Sequence, residues 1–345
     1  MRINTHQKSG RDNRILVIGP AWVGDMVLAQ SLFRFLKQRH PQARLDVAAP
    51  AWTKPLLDRM PEVDEAIEFS FRHGQFAFAA RLSLGRSLRP QQYDWAIVLP
   101  NSWKSAVLPW AAKAKRRTGF LGELRYGLLN DIRRLDKNKL PRTVDRFVAL
   151  ALKPGDPLPT ALPSPALVPN HQGALHALHA IGHALPKGMV LGLCPGAEYG
   201  PAKRWPAEYY AEVARHQLDK GWEVWLFGSE KDIPVVNEIM RHTGTRCLNL
   251  AGQTTLAEAI DLMSLTTVVV SNDSGLMHVA AALGKPLVAL YGSSDPHHTP
   301  PMSDKATVLS LGLSCSPCFK RECPLGHLKC LRDIPPARVL AAFGQ

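Results

Sequence analysis

SNDSGLMHVAAALGKPLVALYG, residues 271–292, contains the junction on which the fold turns. An apolar run over 267–271 ends in Asn272-Asp273, a helical pattern covers 274–283, and a second apolar run follows at 286–291. Strand, helix and strand joined this tightly form a βαβ unit, and such units build parallel sheets. The junction also carries chemistry. The first amides of a helix lack intrahelical acceptors and suit an anion. Gly275 leaves room for that ligand, Ser274 offers a hydroxyl, and Asp273 can accept from a sugar hydroxyl. His278 lies one turn beyond Ser274, while Leu276, Val279, Ala280 and Leu283 are assigned to the core face. A ligand contact and a satisfied buried histidine are both open for His278.

The same alternation extends in both directions. Upstream, strands at 189–194, 222–227 and 247–250 alternate with helices at 207–220, 232–242 and 255–265, and a short final helix is expected over 336–343. Near the start, RILVIG (14–19) reads as a strand and 25–39 as a helix, followed by strands at 44–48, 65–69 and 94–99. Residues 153–170, KPGDPLPTALPSPALVPN, hold too many prolines for a helix interior or a central strand, so they are read as a linker. The expected division is a polar tail over 1–13, a Rossmann-like domain over 14–152, the linker, a second Rossmann-like domain over 171–335, and a C-terminal helix over 336–345. The fold class is α/β, with two doubly wound domains expected to face a central cleft.

A chain of 345 residues with 46% hydrophobic residues suits two well-cored domains. It has no run of 18 or more apolar residues, and its polar first 13 residues lack a signal-peptide core, so a cytoplasmic location is expected. The net charge of +13 favours an anionic partner. The basic residues are spread in short groups such as 113–117 and no nucleic-acid module is visible, which argues against nucleic acid.

Three further loops carry candidate site residues. GPAWVGDM (19–26) has the glycine spacing of a Walker loop, but Asp25-Met26 replaces the Lys and Ser/Thr that grip phosphate and magnesium. Ala21 occupies the middle glycine position of a dinucleotide fingerprint, which excludes that reading too. Asp25 at a helix start is then either a general base or a helix cap. Lys203 and Arg204, in the loop 195–206, suit a phosphate or pyrophosphate, with solvated loop cations as the alternative. Beyond strand 222–227, Gly228 permits close backbone approach; Glu230 or Asp232 is either a ribose ligand or an ordinary helix cap.

The blocks GPAWVGDM (19–26), CPGAEYGPAKRWP (194–206) and NDSGLMHVAAAL (272–283) together resemble the ADP-heptose:lipopolysaccharide heptosyltransferases, glycosyltransferase family nine. APAW (49–52), RMPEVDEAI (59–67) and RYGLLNDI (125–132) extend the resemblance over residues 14 to 300. It implies a GT-B enzyme of a Gram-negative bacterium, whose first domain takes the lipopolysaccharide acceptor and whose second takes the sugar nucleotide. The implied reaction is inverting transfer of L-glycero-D-manno-heptose from ADP-heptose to the first heptose of the inner core, on Kdo-lipid A. On that reading Asp25 is the base and Lys203 holds the diphosphate. Arg204, Gly228, Glu230, Asp273, Ser274, Gly275, Leu276 and His278 bind the donor, and Gly19, Trp22 and Gly24 form the acceptor-side loop. Peripheral association with the cytoplasmic face of the inner membrane is implied, and no cofactor or catalytic metal is required. The alternatives are a heptosyltransferase with another core acceptor and a non-catalytic nucleotide- or polyanion-binding protein. An oxidoreductase is disfavoured by the missing fingerprint. Cys315, Cys318, Cys323 and Cys330, spaced C-x2-C-x4-C-x6-C around His327, have no role in the resemblance. Structural zinc, free thiols and a reducible bridge all remain open for them.

Overall fold

The computed structural model describes residues 14–69 and 76–344, so the tail expected at 1–13 lies outside the described residues. The first sheet holds β1 (Arg14–Ile18), β2 (Arg44–Pro50), β3 (Glu65–Phe69), β4 (Trp95–Val98), β5 (Arg116–Phe120) and β6 (Asp131–Arg133), ordered β3-β2-β1-β4-β5-β6. The second holds β7 (Val190–Cys194), β8 (Glu223–Leu226), β9 (Leu248–Asn249), β10 (Val268–Asn272), β11 (Leu287–Leu290) and β12 (Ala306–Leu309), ordered β12-β11-β10-β7-β8-β9. Every strand pair is parallel. Numbered within its own half and read from the β9 edge, the second sheet repeats the order of the first. The chain therefore builds the same Rossmann-like sheet twice, the α/β class of GT-B proteins.

The central strands explain why they were legible. β4 (WAIV), β7 (VLGLC) and β10 (VVVSN) are buried along their whole lengths, as parallel strands covered on both faces must be. The connecting helices include α1 (Val23–Arg39), α2 (Lys54–Leu57), α3 (Phe78–Ser87), α4 (Val107–Ala111), α5 (Thr143–Ala149), α6 (His171–Ala180), α7 (Ala207–Leu218), α8 (Ile233–His242), α9 (Leu256–Met263) and α10 (Gly275–Ala282). The short α11 (Lys329–Arg332) and α12 (Pro336–Ala341) follow the second sheet. In the first sheet, Leu16, Ala96 and Val98 pack with Val107 and Leu108 of α4. In the second, Leu191, Val224, Val270 and Val288 pack with Tyr210, Ala214, Val236 and Ile239 of α7 and α8.

Two compact units result. Among the described residues, one comprises 14–21, 31–69, 76–140 and 145–163; the other comprises Trp22–Gln30, Pro141–Val144 and 164–344. The second half of the proline-rich stretch is fixed within the latter. Gln30 brackets Ala166, donating to its carbonyl at 2.7 Å and accepting from its N–H at 2.9 Å, and the Leu167 N–H donates to Ala282 O at 2.9 Å. The stretch ends at Asn170, whose side chain caps α6 by accepting from Gly173 N–H at 3.1 Å. Among the described residues no helix is long and apolar enough to cross a membrane.

Candidate active site

In the second sheet the strand order reverses between β7 and β10, and a crevice outside the carboxyl ends of such strands is where open α/β sheets bind ligands. β7 ends at Cys194 and runs into the loop 195–206; β10 ends at Asn272 and runs into α10. Buried Asn272 ties the two together. Its Oδ1 accepts from the Trp205 N–H at 3.0 Å and the Tyr210 hydroxyl at 3.1 Å, and its Nδ2 donates to Pro195 O at 2.7 Å. Nothing in the residue's type announces this role, which depends on strands far apart in sequence.

The loop so anchored presents Lys203, whose Nζ lies 2.5 Å from Oδ2 of buried Asp273. Lys203 Nζ also lies 5.2 Å from the centre of the Tyr199 ring, while the Arg321 guanidinium lies 5.4 Å from the same centre. Arg204 is engaged differently. One terminal nitrogen lies 3.7 Å from Asp232 Oδ1 and 3.5 Å from Ala197 O, and its buried Nε has no hydrogen-bond partner. Asp232 in turn caps the turn after β8, accepting from Ser229 N–H at 3.0 Å and Ser229 Oγ–H at 2.9 Å. Gly196 and Gly228 admit it: a Cβ on Gly196 would lie 2.3 Å from Asp232 Cγ, and one on Gly228 2.9 Å from Asp232 Cβ. Glu230 lies exposed in the same turn.

Asp25 stands in the first turn of α1 and belongs to the same compact unit as Lys203 and Asp273. Burial raises its carboxyl above the ordinary carboxylate range; the neighbouring His298 and Lys203 oppose that rise, and Asp273 adds to it. His298 holds its ring by Nδ1 donation to Pro141 O at 2.8 Å. A histidine followed by threonine and prolines gave no sequence signal for this placement.

The amino ends of α1 and α10 approach closely because each carries a glycine. A Cβ on Gly24 would lie 2.7 Å from His278 Cδ2, and one on Gly275 would lie 2.8 Å from Val23 Cβ. His278 is buried, which depresses its imidazole to about 4; the attraction of Asp273 for the proton only partly offsets this. Its Nδ1 has no hydrogen-bond partner, so the histidine is buried yet incompletely satisfied. Ser274 Oγ lies 3.3 Å from Ser271 Oγ. Leu276 and Leu283 are only half-buried, whereas Met277, Val279, Ala280, Ala281 and Ala282 form the covered part of α10. The expected core face is thus corrected at both leucines: the helix is covered nearly all round, and the half-exposed positions are its ends.

Asp25, Gly24, Lys203, Asp273, Ser274, Gly275 and His278 therefore lie within one unit, near the reversal of strand order. Trp22 is exposed at the start of that segment. Gly19 is buried in the other unit, where its N–H donates to Ala48 O at 2.9 Å.

The chain matches the model of glycosyltransferase family 9 (heptosyltransferase) over residues 81–329. It is 50% identical over 337 residues to lipopolysaccharide heptosyltransferase 2 of Escherichia coli (strain K12), covering 95% of this chain and 96% of that protein. Lipooligosaccharide heptosyltransferase 2 of Haemophilus influenzae is 49% identical over 307 residues, covering 86% of this chain and 88% of its own. The solved structure of E. coli ADP-heptose LPS heptosyltransferase II superposes with a TM-score of 0.85 at 47% identity, over 96% of this chain and 97% of that one. With the duplicated Rossmann-like sheet and similarity along nearly the whole chain, the protein is a glycosyltransferase and belongs to family 9, the heptosyltransferases.

Proposed function

We propose that the chain transfers L-glycero-D-manno-heptose from ADP-heptose to the first heptose of the lipopolysaccharide inner core, with inversion at the anomeric carbon. The observation that carries this reading is the placement of an acid, Asp25, within electrostatic reach of the Lys203–Asp273 pair. An inverting transfer needs a base on the acceptor hydroxyl and positive charge at the departing diphosphate. Asp25 removes the hydroxyl proton as that oxygen attacks the anomeric carbon. The bond from that carbon to the β-phosphate oxygen breaks, and ADP leaves with the electron pair. Lys203 and the free amides at the start of α10 take the charge that develops on the diphosphate.

The environment of Asp25 suits the task. A carboxylate made more basic by burial accepts a proton more readily than one in water. His278, depressed to about 4, is neutral at neutral pH and leaves the cationic role to Lys203 and Arg204. Asp273 orients the Lys203 ammonium before the donor arrives; Gly228 and Glu230, at the end of β8, flank the ribose. This chemistry uses no cofactor.

The domain roles follow the same reading: the sheet β7–β12 serves the sugar nucleotide, and the sheet β1–β6, with the Gly19 loop, serves the acceptor. A net charge of +13 favours an acceptor rich in phosphates and Kdo carboxylates at the cytoplasmic face of the inner membrane. Exposed Trp52, Phe76, Phe78 and Trp110 supply aromatic surface for peripheral association there.

Asp25→Asn tests the mechanism, since it keeps the size and capping capacity of the side chain but not its basicity. Turnover is expected to fall by roughly 10²-fold or more with ADP binding retained. A folded variant transferring heptose at the wild-type rate would remove Asp25 from the chemistry.

A further inference from the structure

Cys315, Cys318, Cys323 and Cys330 are separated by distances that allow many arrangements, yet the fold brings all four to one small cavity, together with His327 and Ala202. They reach it from residues 310–328, which form neither helix nor strand, and from α11. A structureless segment of that length inside a compact domain ordinarily needs something to hold it. Its turns have the form that presents sulfur to a metal. After Cys323, Gly326 adopts a φ of +67° and its N–H donates to Cys323 O at 3.0 Å. That turn directs the N–H groups of Leu328, Leu325, His327 and Gly326 toward the Cys323 sulfur. After Cys318, Phe319 takes a φ of +53°, a conformation uncommon for a bulky residue and one that marks a second tight turn.

We propose that Cys315, Cys318, Cys323 and Cys330 bind one thiophilic metal ion in a tetrahedral, all-sulfur site. Among the described residues no three or more His, Cys, Asp or Glu side chains already stand in metal-holding geometry. The ion therefore draws together thiols that line a common cavity and releases their protons as it binds. Four sulfurs complete the coordination preferred by zinc, and His327, whose Nδ1 accepts from the Lys329 N–H at 3.0 Å, is not required.

The site is structural, and its place in the fold gives it a consequence. The cysteine segment is the support of the Lys203 loop: Arg321 O accepts from the Ala202 N–H at 2.9 Å, and Phe319 O accepts from the Tyr199 hydroxyl at 2.8 Å. Arg321 and Lys203 share the Tyr199 ring, and a Cβ on Gly200 would lie 2.5 Å from Arg321 O. Metal binding thus fixes the backbone that presents Lys203. The metal site itself stands independently of the heptosyl-transfer reading; only this positioning effect rests on it.

The test uses the full chain purified anaerobically, with metal content read by plasma mass spectrometry and the metal-free protein titrated with cobalt(II). About one zinc or iron ion per chain is expected, with sulfur-to-cobalt charge-transfer bands and the intense d–d bands of tetrahedral cobalt. Mass spectrometry distinguishes zinc from iron, and either ion on these sulfurs upholds the site. Cys323→Ser/Cys330→Ser is expected to lose the metal, while His327→Ala and Cys247→Ala keep it. The cobalt titration of the unaltered chain reads the site even where the double variant fails to fold. Absence of stoichiometric metal both as isolated and after reconstitution, retention of metal by the double variant, or a disulfide among the four in the anaerobic protein would overturn the proposal. ADP affinity by calorimetry is expected to fall on metal removal and recover with zinc; unchanged affinity would overturn the positioning role.

Discussion

His278 shows how one residue can carry two opposed demands. Burial keeps its imidazole neutral, and with a folded value of about 4 against the ordinary 6.5, the folded state binds this proton more weakly than the unfolded chain. The associated stability is complete above pH 6.5 and is lost as pH falls toward 4. His278→Gln is expected to remove that acid-sensitive component, read as a smaller drop in melting temperature between neutral and mildly acidic buffer; an unchanged drop would place the sensitivity elsewhere. Asp25 behaves in the opposite sense. Its folded value lies above the ordinary 3.8, so its stabilising contribution is present at lower pH and lost as pH rises through that window. Asp25→Asn is therefore expected to melt no lower than the parent at neutral pH, and the parent's kcat/KM is expected to show an acid limb above 3.8. The Lys203–Asp273 pair can be separated by a cycle. Lys203→Ala strands a buried carboxylate and is expected to cost about 3 kcal/mol of stability as well as transfer activity. Adding Asp273→Asn is expected to restore most of the stability and none of the transfer. Recovery of transfer would make Lys203 a structural partner only.

At the scale of elements, the close approach of α1 and α10 depends on Gly24 and Gly275. A methyl group at either position meets an atom at 2.7–2.8 Å, against His278 and Val23 respectively. Gly24→Ala and Gly275→Ala are each expected to destabilise by roughly 1–3 kcal/mol and to displace Asp25 or the α10 amides, lowering transfer beyond the stability loss. Wild-type melting and kinetics in both would mean that the helix ends have slack. The same scale shows what the sequence made legible. β4 and β7 are unbroken apolar runs, β1 (RILVI) and β10 (VVVSN) are apolar except at one polar end, and α9 begins at a Thr255/Glu258 capping box, so their placement follows from local pattern. β5 begins with Arg116-Arg117, which reads as a solvated basic cluster until the fold places the Arg116 guanidinium 3.6 Å from the Trp95 ring centre. Arg117 likewise donates to Leu128 O at 2.6 Å and Ala114 O at 2.7 Å. β6 is too short for periodicity to register, whereas β9 falls inside the strand expected at 247–250. For the candidate site, Asp25, Lys203 and the start of α10 were legible because they sit at helix or strand ends with suitable chemistry. Asn272 and His298 were not, since each acts through partners distant in the chain.

At the scale of the molecule, one sheet order occurs twice, and in the second copy the Lys203–Asp273 pair and the start of α10 lie beside its point of strand reversal. Similarity along nearly the whole chain to heptosyltransferases 2 accounts for the class of reaction, while on the proposed reading the choice of acceptor falls to surfaces of the first sheet that strand order does not specify. The decisive measurement incubates the purified protein with ADP-heptose and two defined inner-core acceptors, one bearing no heptose and one bearing a single heptose, and reads the products by mass spectrometry and NMR. The expected result is addition of one heptose to the acceptor that already carries one, with anomeric configuration opposite to the donor's. Equal or better transfer to the heptose-free acceptor, or retention of the donor's configuration, would contradict it.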